Sequence, residues 1–200
     1  MSEPIEFYFD FSSPYSYLAS EKIDALAAKH GRKVKWKPIL LGIVFKTTGA
    51  VPLTQAPMKG DYSRHDFERS ARFLDVPFKL PEKFPVATQA AARAYYWLHD
   101  RDCALARRFA HAVFCAFYVA GRDISDTATV LNLAAALGVN EEELATALAG
   151  QELKDRLRTE VEAAIARGVF GAPYIVIDGE PFWGADRLPQ VERWLETGGF

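Results

Sequence analysis

The chain opens on an alternation. Ile5, Phe7, Phe9 and Phe11 fall on one face of an extended segment and Glu6, Tyr8 and Asp10 on the other, the period of two that marks a strand. From Tyr15 to His30 the period changes. Tyr17, Leu18, Ile23, Leu26 and Ala27 recur at helical spacing, and Gly31 supplies a residue that tolerates positive φ past the end. Val34, Trp36 and Ile39 predict a second short strand, so the first forty residues read as β-α-β with parallel strands and a right-handed crossover. At the other end, Tyr174-Ile175-Val176-Ile177 and Glu180-Pro181-Phe182-Trp183 flank Asp178-Gly179, a strong hairpin signal. Leu188, Val191, Trp194 and Leu195 then share one side of a final helix that Gly198-Gly199 ends, so the tail reads β-β-α.

Between these ends the pattern is mostly helical, with Ala-rich stretches from Ala87 to Leu98 and from Leu105 to Ala120. Asn140 followed by Glu143 resembles a capping box, and Gly150 can close the helix it starts. No repeat and no low-complexity tract interrupts this region, which reads as one helical insertion of roughly a hundred residues. The expected organisation is α/β: residues 1–56 as the first part of a domain, 57–167 as an all-helical insertion, and 168–200 as the second part. A β-α-β unit and a β-β-α unit split by helices resembles the thioredoxin-like fold in its DsbA form.

Two hundred residues suit one domain, or a small domain with an insertion. A net charge of −2 leaves no electrostatic footprint for nucleic acid, so no nucleic-acid partner is expected. No apolar run approaches the ~18 residues of a membrane span, so no membrane partner is expected either. The first strand begins within four residues of Met1, which leaves no signal-peptide pattern and points to the cytoplasm. Cys103 and Cys115 lie too far apart for a Cys-x-x-Cys pair or a zinc ligand set. Two buried free thiols and no metal are expected.

The segment Asp10-Phe11-Ser12-Ser13-Pro14-Tyr15-Ser16-Tyr17 joins strand to helix. Pro14 suits the first helical position, where its missing N–H costs nothing and its φ is already helical. Ser13 then becomes the N-cap. Two readings of it stay open: a hydroxyl that only caps the first turn, or one that helps the helix start hold an anion such as a thiolate. Far off in sequence, Val169-Phe170-Gly171-Ala172-Pro173-Tyr174 places Gly-x-Pro directly before an apolar strand, which points to a tight turn or a cis peptide, or else to an edge-strand proline closing a loop.

Taken in order, five segments make the chain resemble the 2-hydroxychromene-2-carboxylate isomerases and kappa-class glutathione transferases over nearly its whole length. They are Phe7 to Ala19; Lys59 with Tyr62, Asp66 and Arg69; Arg122-Asp123-Ile124; Val169 to Pro173; and Trp183-Gly184-Ala185-Asp186-Arg187. The resemblance implies glutathione as cofactor and Ser13 as the active-site hydroxyl, with Ser12 its neighbour. It implies that Lys59 reaches glutathione, that Ala172, before a cis Pro173, pairs with its backbone, and that Asp186, next to Ala185, holds its γ-glutamyl amine. A lysine suits a carboxylate, an aspartate suits an ammonium, and strand-like pairing aligns a peptide. Lys59 on a solvated polar stretch and Asp186 at a helix start also have ordinary structural explanations. Where relatives often carry asparagine, this chain has Ala50 and Ala87.

The implied activity is a glutathione-dependent isomerisation of 2-hydroxychromene-2-carboxylate, or a related small aromatic carboxylate, to trans-o-hydroxybenzylidenepyruvate in aromatic-compound catabolism. The alternative is a kappa-type transferase or peroxidase; a non-catalytic peptide-binding module is a more distant one. A disulfide exchanger fits least, because Ser13 and Ser16 stand where its Cys-x-x-Cys pair would be. The resemblance also implies a homodimer. The aromatics Tyr95, Tyr96, Trp97, Phe114, Phe117 and Tyr118 fall at helical spacing, which reads as core.

Overall fold

The computed structural model describes residues 3–200, so Met1 and Ser2, at the start of the first expected segment, lie outside the described residues. Strands β1 (Ile5–Phe9), β2 (Val34–Pro38), β3 (Tyr174–Ile177) and β4 (Glu180–Trp183) form one sheet in the order β2-β1-β3-β4. The helices are α1 (Pro14–Lys29), α2 (Leu41–Thr48), α3 (Lys59–Phe73), α4 (Gln89–His99), α5 (Cys103–Tyr118), α6 (Thr127–Ala135), α7 (Glu141–Ala149), α8 (Gln151–Ala166) and α9 (Leu188–Thr197). β1 runs parallel to β2, pairing Ile5 with Val34 and Phe9 with Pro38, and antiparallel to β3. This is the thioredoxin-like arrangement, with its β-α-β and β-β-α units separated by helices.

The β3–β4 turn forms where the sequence asks for it. Asp178 and Gly179 both take positive φ, 52° and 95°, the geometry of a two-residue turn that matches strand twist. Asn140 caps α7 by accepting from the Glu143 N–H at 3.1 Å.

β1 behaves differently from its alternating pattern. Tyr8 and Asp10, on the expected polar face, are as buried as Phe7 and Phe9. β1 lies inside the sheet, and its residues are buried on both sides at Phe7, Tyr8 and Phe9, so both sides of the strand are core there. The strand also stops at Phe9 rather than Phe11, because the Asp10 carboxylate accepts from the Ser12 N–H at 2.8 Å and turns the chain.

The core is aromatic. Phe7 and Phe9 meet Trp36 edge-on at 5.2 and 5.4 Å, Phe9 and Phe11 lean on Phe114 at 5.6 and 5.0 Å, and Tyr17 stacks on Tyr118 at 5.2 Å. Each ring removes apolar area worth about 1.5–3 kcal/mol. Tyr95, Tyr96 and Trp97 are buried with them. β2 is an outer strand, and its carbonyls are closed off by side chains from α4 and α5. Arg107 donates to Val34 O at 2.9 Å, Tyr95 to Trp36 O at 3.3 Å and Tyr96 to Pro38 O at 2.9 Å, which blocks strand addition there.

α2 starts where the Leu41 N–H donates to the Asp10 carboxylate at 2.7 Å, a partner 31 residues away that no local pattern announces. One sequence expectation is corrected. Cys103 and Cys115 are exposed, not buried. The inward stripe of α5 is Ala106, Phe109, Ala110, Val113, Phe114 and Phe117. Cys103 sits at its first turn and Cys115 projects off the stripe.

Candidate functional site

The strand-to-helix turn after β1 is built around a buried carboxylate. Asp10, 3 % exposed, accepts from the Ser12 N–H, the Leu41 N–H and the Thr88 hydroxyl, the last at 2.9 Å. One side chain thus ties together the starts of α1, α2 and α4. Burial pushes its carboxyl above the ordinary value, while the three donors pull the other way. Ser12 adds a further tie, its hydroxyl oxygen accepting from the Val86 N–H at 3.0 Å.

On this frame Ser13 takes the N-cap position in an extended conformation, with Pro14 as the first helical residue. Its hydroxyl oxygen accepts from the Ser16 N–H at 3.2 Å, and its proton goes to the Ala172 carbonyl at 3.1 Å. Ser13 is 5 % exposed. The cap reading is therefore satisfied, and the hydroxyl also faces the second signal segment. The Ala172–Pro173 peptide is cis, as is Phe84–Pro85.

The bend that carries Ala172 into β3 is held by the tail. Pro173 O accepts from the Gly184 N–H at 3.0 Å, at the point where β4 leads into a 3-10 turn, Ala185–Arg187. Two glycines make these approaches. A Cβ on Gly171 would lie 2.4 Å from the Trp183 indole nitrogen, and Gly184, at φ 111°, would place one 2.3 Å from an Asp186 carboxylate oxygen. Ala185 is buried and Asp186 is exposed, with Arg187 3.7 Å from its carboxylate.

Lys59 opens α3, is exposed, and forms no ion pair with any described residue. The structure does not bring it into contact with Ser13. What joins α3 to the active turn is Tyr15, whose hydroxyl donates to Asp66 at 2.5 Å, while Arg69 pairs with Asp66 and donates to the Tyr62 hydroxyl at 2.9 Å. Burial and the Asp66 carboxylate raise the Tyr15 hydroxyl's pKa. Burial works against the charge on Asp66, but the bonds from Tyr15 and Arg69 outweigh it and hold that carboxyl low. Asp186 lies close enough to Tyr15 to act on it electrostatically.

The structure thus brings Ser13, Ala172 and Pro173 together and places Ala185 and Asp186 on the adjoining turn. Asp10, the Tyr15–Asp66 pair and Thr88 were not anticipated in these roles. An aspartate two residues before a serine in a turn is a visible signal for Asp10, whereas Thr88 has none. A hydroxyl at a helix start, facing the backbone before a cis-proline, can donate to an anion held between them. The site has no thiol of its own.

His30, Glu192 and Glu196 place ligand atoms within 4.8 Å of one another, but at the far end of α1 from Ser13, and Glu192 is already paired with Lys29 at 3.1 Å. No described helix is long and apolar enough to cross a membrane.

This is a thioredoxin-like domain with two serine hydroxyls, Ser13 and Ser16, at the start of α1. Residues 4–196 match the DSBA-like thioredoxin domain model, and the chain belongs to that family, in the group of 2-hydroxychromene-2-carboxylate isomerases and kappa-class glutathione transferases. It is 32 % identical to a 2-hydroxychromene-2-carboxylate isomerase of Sphingobium xenophagum, over 98 % of this chain and 99 % of the relative. It is 29 % identical to glutathione S-transferase kappa 2 of Caenorhabditis elegans, over 96 % and 91 %. The solved structure of a 2-hydroxychromene-2-carboxylate isomerase superposes with a TM-score of 0.87 at 27 % identity, covering 97 % of this chain and 95 % of that one.

Proposed function

We propose that this protein is a glutathione-dependent isomerase acting on a 2-hydroxychromene-2-carboxylate or a related small aromatic carboxylate, in aromatic-compound breakdown in the cytoplasm. The Ser13–Ala172 hydrogen bond carries the reading: it marks a hydroxyl donor and the backbone before the cis-proline at one point, beside the positive end of α1. The relatives supply the reaction class.

The donor set fits glutathione. Ala172 offers backbone for its central peptide, Asp186 an exposed carboxylate for its ammonium, and Lys59 an ammonium with no ion-pair partner among the described residues for a carboxylate. When bound, glutathione supplies a nucleophilic sulfur for reversible addition to a conjugated double bond, so that the bond can rotate. Ser13 turns its proton from Ala172 toward the sulfur, as a hydroxyl rotor can, and together with the α1 dipole favours the anion. Pro173, cis after Ala172, and Ala185, buried next to Asp186, complete the proposed glutathione-binding residues. Ser13 is a donor here, not a nucleophile.

The test is to mix protein and a chromene carboxylate, with and without glutathione, and follow absorbance. Turnover that needs glutathione but does not consume it supports isomerisation. Consumption of glutathione would instead favour the kappa-type transferase or peroxidase, which the 29 % identical relative makes the second reading. No turnover in either arm sinks both. The proposed assembly is a homodimer, checked by light scattering.

A further inference from the structure

Helix α3 carries Lys59 at its start, yet little packing holds it in place. Its inward stripe is Gly60, Ser63, Phe67 and Ala71, among which Phe67 is the only large side chain. Because buried apolar area is what normally docks a helix, this one leans on polar ties. They come from the stripe beside it, where Lys59, Tyr62, Asp66 and Arg69 follow at i, i+3, i+7 and i+10.

Asp66 is the acceptor at the centre of them. It takes the Tyr15 hydroxyl at 2.5 Å, pairs with Arg69 and accepts from the Ser70 hydroxyl at 3.3 Å, while the Tyr15 ring meets Phe67 edge-on at 5.0 Å. Its side chain is 17 % exposed and that of Arg69 is 49 % exposed, so the carboxylate is sheltered while its counter-ion reaches water. A hydroxyl that donates to a sheltered carboxylate makes a strong, directional bond. Tyr15 is the second residue of α1 and stands two beyond Ser13. One bond therefore ties the active turn to the helix that begins at Lys59.

That tie acts on Lys59 at a distance. Lys59 lies seven residues from Asp66, about 10 Å along the helix and on the same side, so a turn of α3 that breaks the Tyr15 bond swings the lysine with it. We propose that Tyr15 is a positioning residue for glutathione, which through Asp66 sets the Lys59 face of α3 at a fixed distance from Ser13. The inference rests on the glutathione reading. It gives Tyr15 no contact with sulfur and no proton to transfer.

The experiment is calorimetric titration of glutathione into the wild type, Tyr15→Phe, Lys59→Ala and the double variant. Tyr15→Phe keeps the ring against Phe67 and removes the hydroxyl alone. Glutathione should bind it about tenfold more weakly, and in the Lys59→Ala background the same change should cost less than about threefold, because the lysine it positions is gone. The thiolate titration of glutathione bound at saturation should stay at its wild-type value, since Ser13 and the start of α1 are untouched. Asp66→Asn, which keeps an oxygen for Tyr15, should weaken binding less than Asp66→Ala. In the unliganded proteins, hydrogen exchange along α3 should quicken in Tyr15→Phe. A wild type that binds no glutathione would sink the glutathione reading and this proposal together. If the wild type binds, a Tyr15→Phe loss below about twofold, a loss undiminished without Lys59, a displaced thiolate titration, equal losses in the two Asp66 variants or unaltered α3 exchange would overturn the positioning role alone.

Discussion

Ser13 donates its hydroxyl proton to the carbonyl of Ala172 across 3.1 Å and 159 residues of sequence. That bond sets a capping serine against the backbone that leads into β3, so one side chain serves both the start of α1 and the bend before β3. Ser13→Ala should fold, with the loss of a cap at about 1 kcal/mol lowering Tm by about 2–4 °C. Glutathione-dependent turnover per folded molecule should fall much further. The ionisation of bound glutathione, followed by thiolate absorbance, should lie below that of the free thiol and rise in Ser13→Ala. Ser12→Ala should cost stability, since Val86 loses its acceptor, yet leave that titration in place. Unchanged turnover and titration in Ser13→Ala would reduce Ser13 to a cap.

Glutathione at a hundredfold excess over its dissociation constant should add about 2.7 kcal/mol to stability, seen as a shifted thermal melt. Lys59→Ala and Asp186→Ala should shrink that shift while leaving the unliganded melt nearly alone, because both residues are exposed. Equal losses with and without glutathione would assign them structural roles instead.

Asp10→Asn should be the costly change at the turn. An amide keeps one acceptor oxygen, which the Ser12 N–H and the Thr88 hydroxyl already share, and its NH2 then opposes the Leu41 N–H that starts α2. A loss of about 3 kcal/mol is expected, read from denaturant midpoints. A change below about 0.5 kcal/mol would mean that the three elements are held together by packing alone.

Ser16 is fully buried, and its hydroxyl has no partner among the described residues. Ser16→Ala removes an unmet polar group without touching the backbone N–H that Ser13 caps. Stability should hold or rise, by up to about 1 kcal/mol, and a melt lowered by several degrees would show that the hydroxyl is satisfied in solution.

Asp123 should titrate low. The Lys83 ammonium at 2.7 Å, followed by Ser125, brings its carboxyl down to about 2. Because this folded value lies below the unfolded one, its stabilising contribution is complete above the ordinary aspartate pKa of about 3.9 and is lost as pH falls toward 2. The pair is exposed, so that contribution is small. Carbon NMR of the carboxyl should show the low midpoint, and Lys83→Met should move it toward the ordinary value; an unmoved midpoint would leave Ser125 as its cause.

The units at the two ends were legible because their signals are local. Alternation at Ile5, Phe7 and Phe9, Ser13-Pro14 at a helix start and Asp178-Gly179 between apolar runs each fix a backbone state within a few residues. The sequence also carried Ser13 and Ala172 as candidates. What brings them to one point is the pairing of β3 with β1, and only the folded chain decides that. Long-range partners decided the rest: Asp10 starts α2 through Leu41, Tyr15 fastens α3 through Asp66, and Arg107, Tyr95 and Tyr96 close the edge of β2. The burial of Tyr8 and Asp10 and the exposure of both cysteines belong to the same class. Periodicity says which residues share a face, but what covers that face is set by elements far away in the chain.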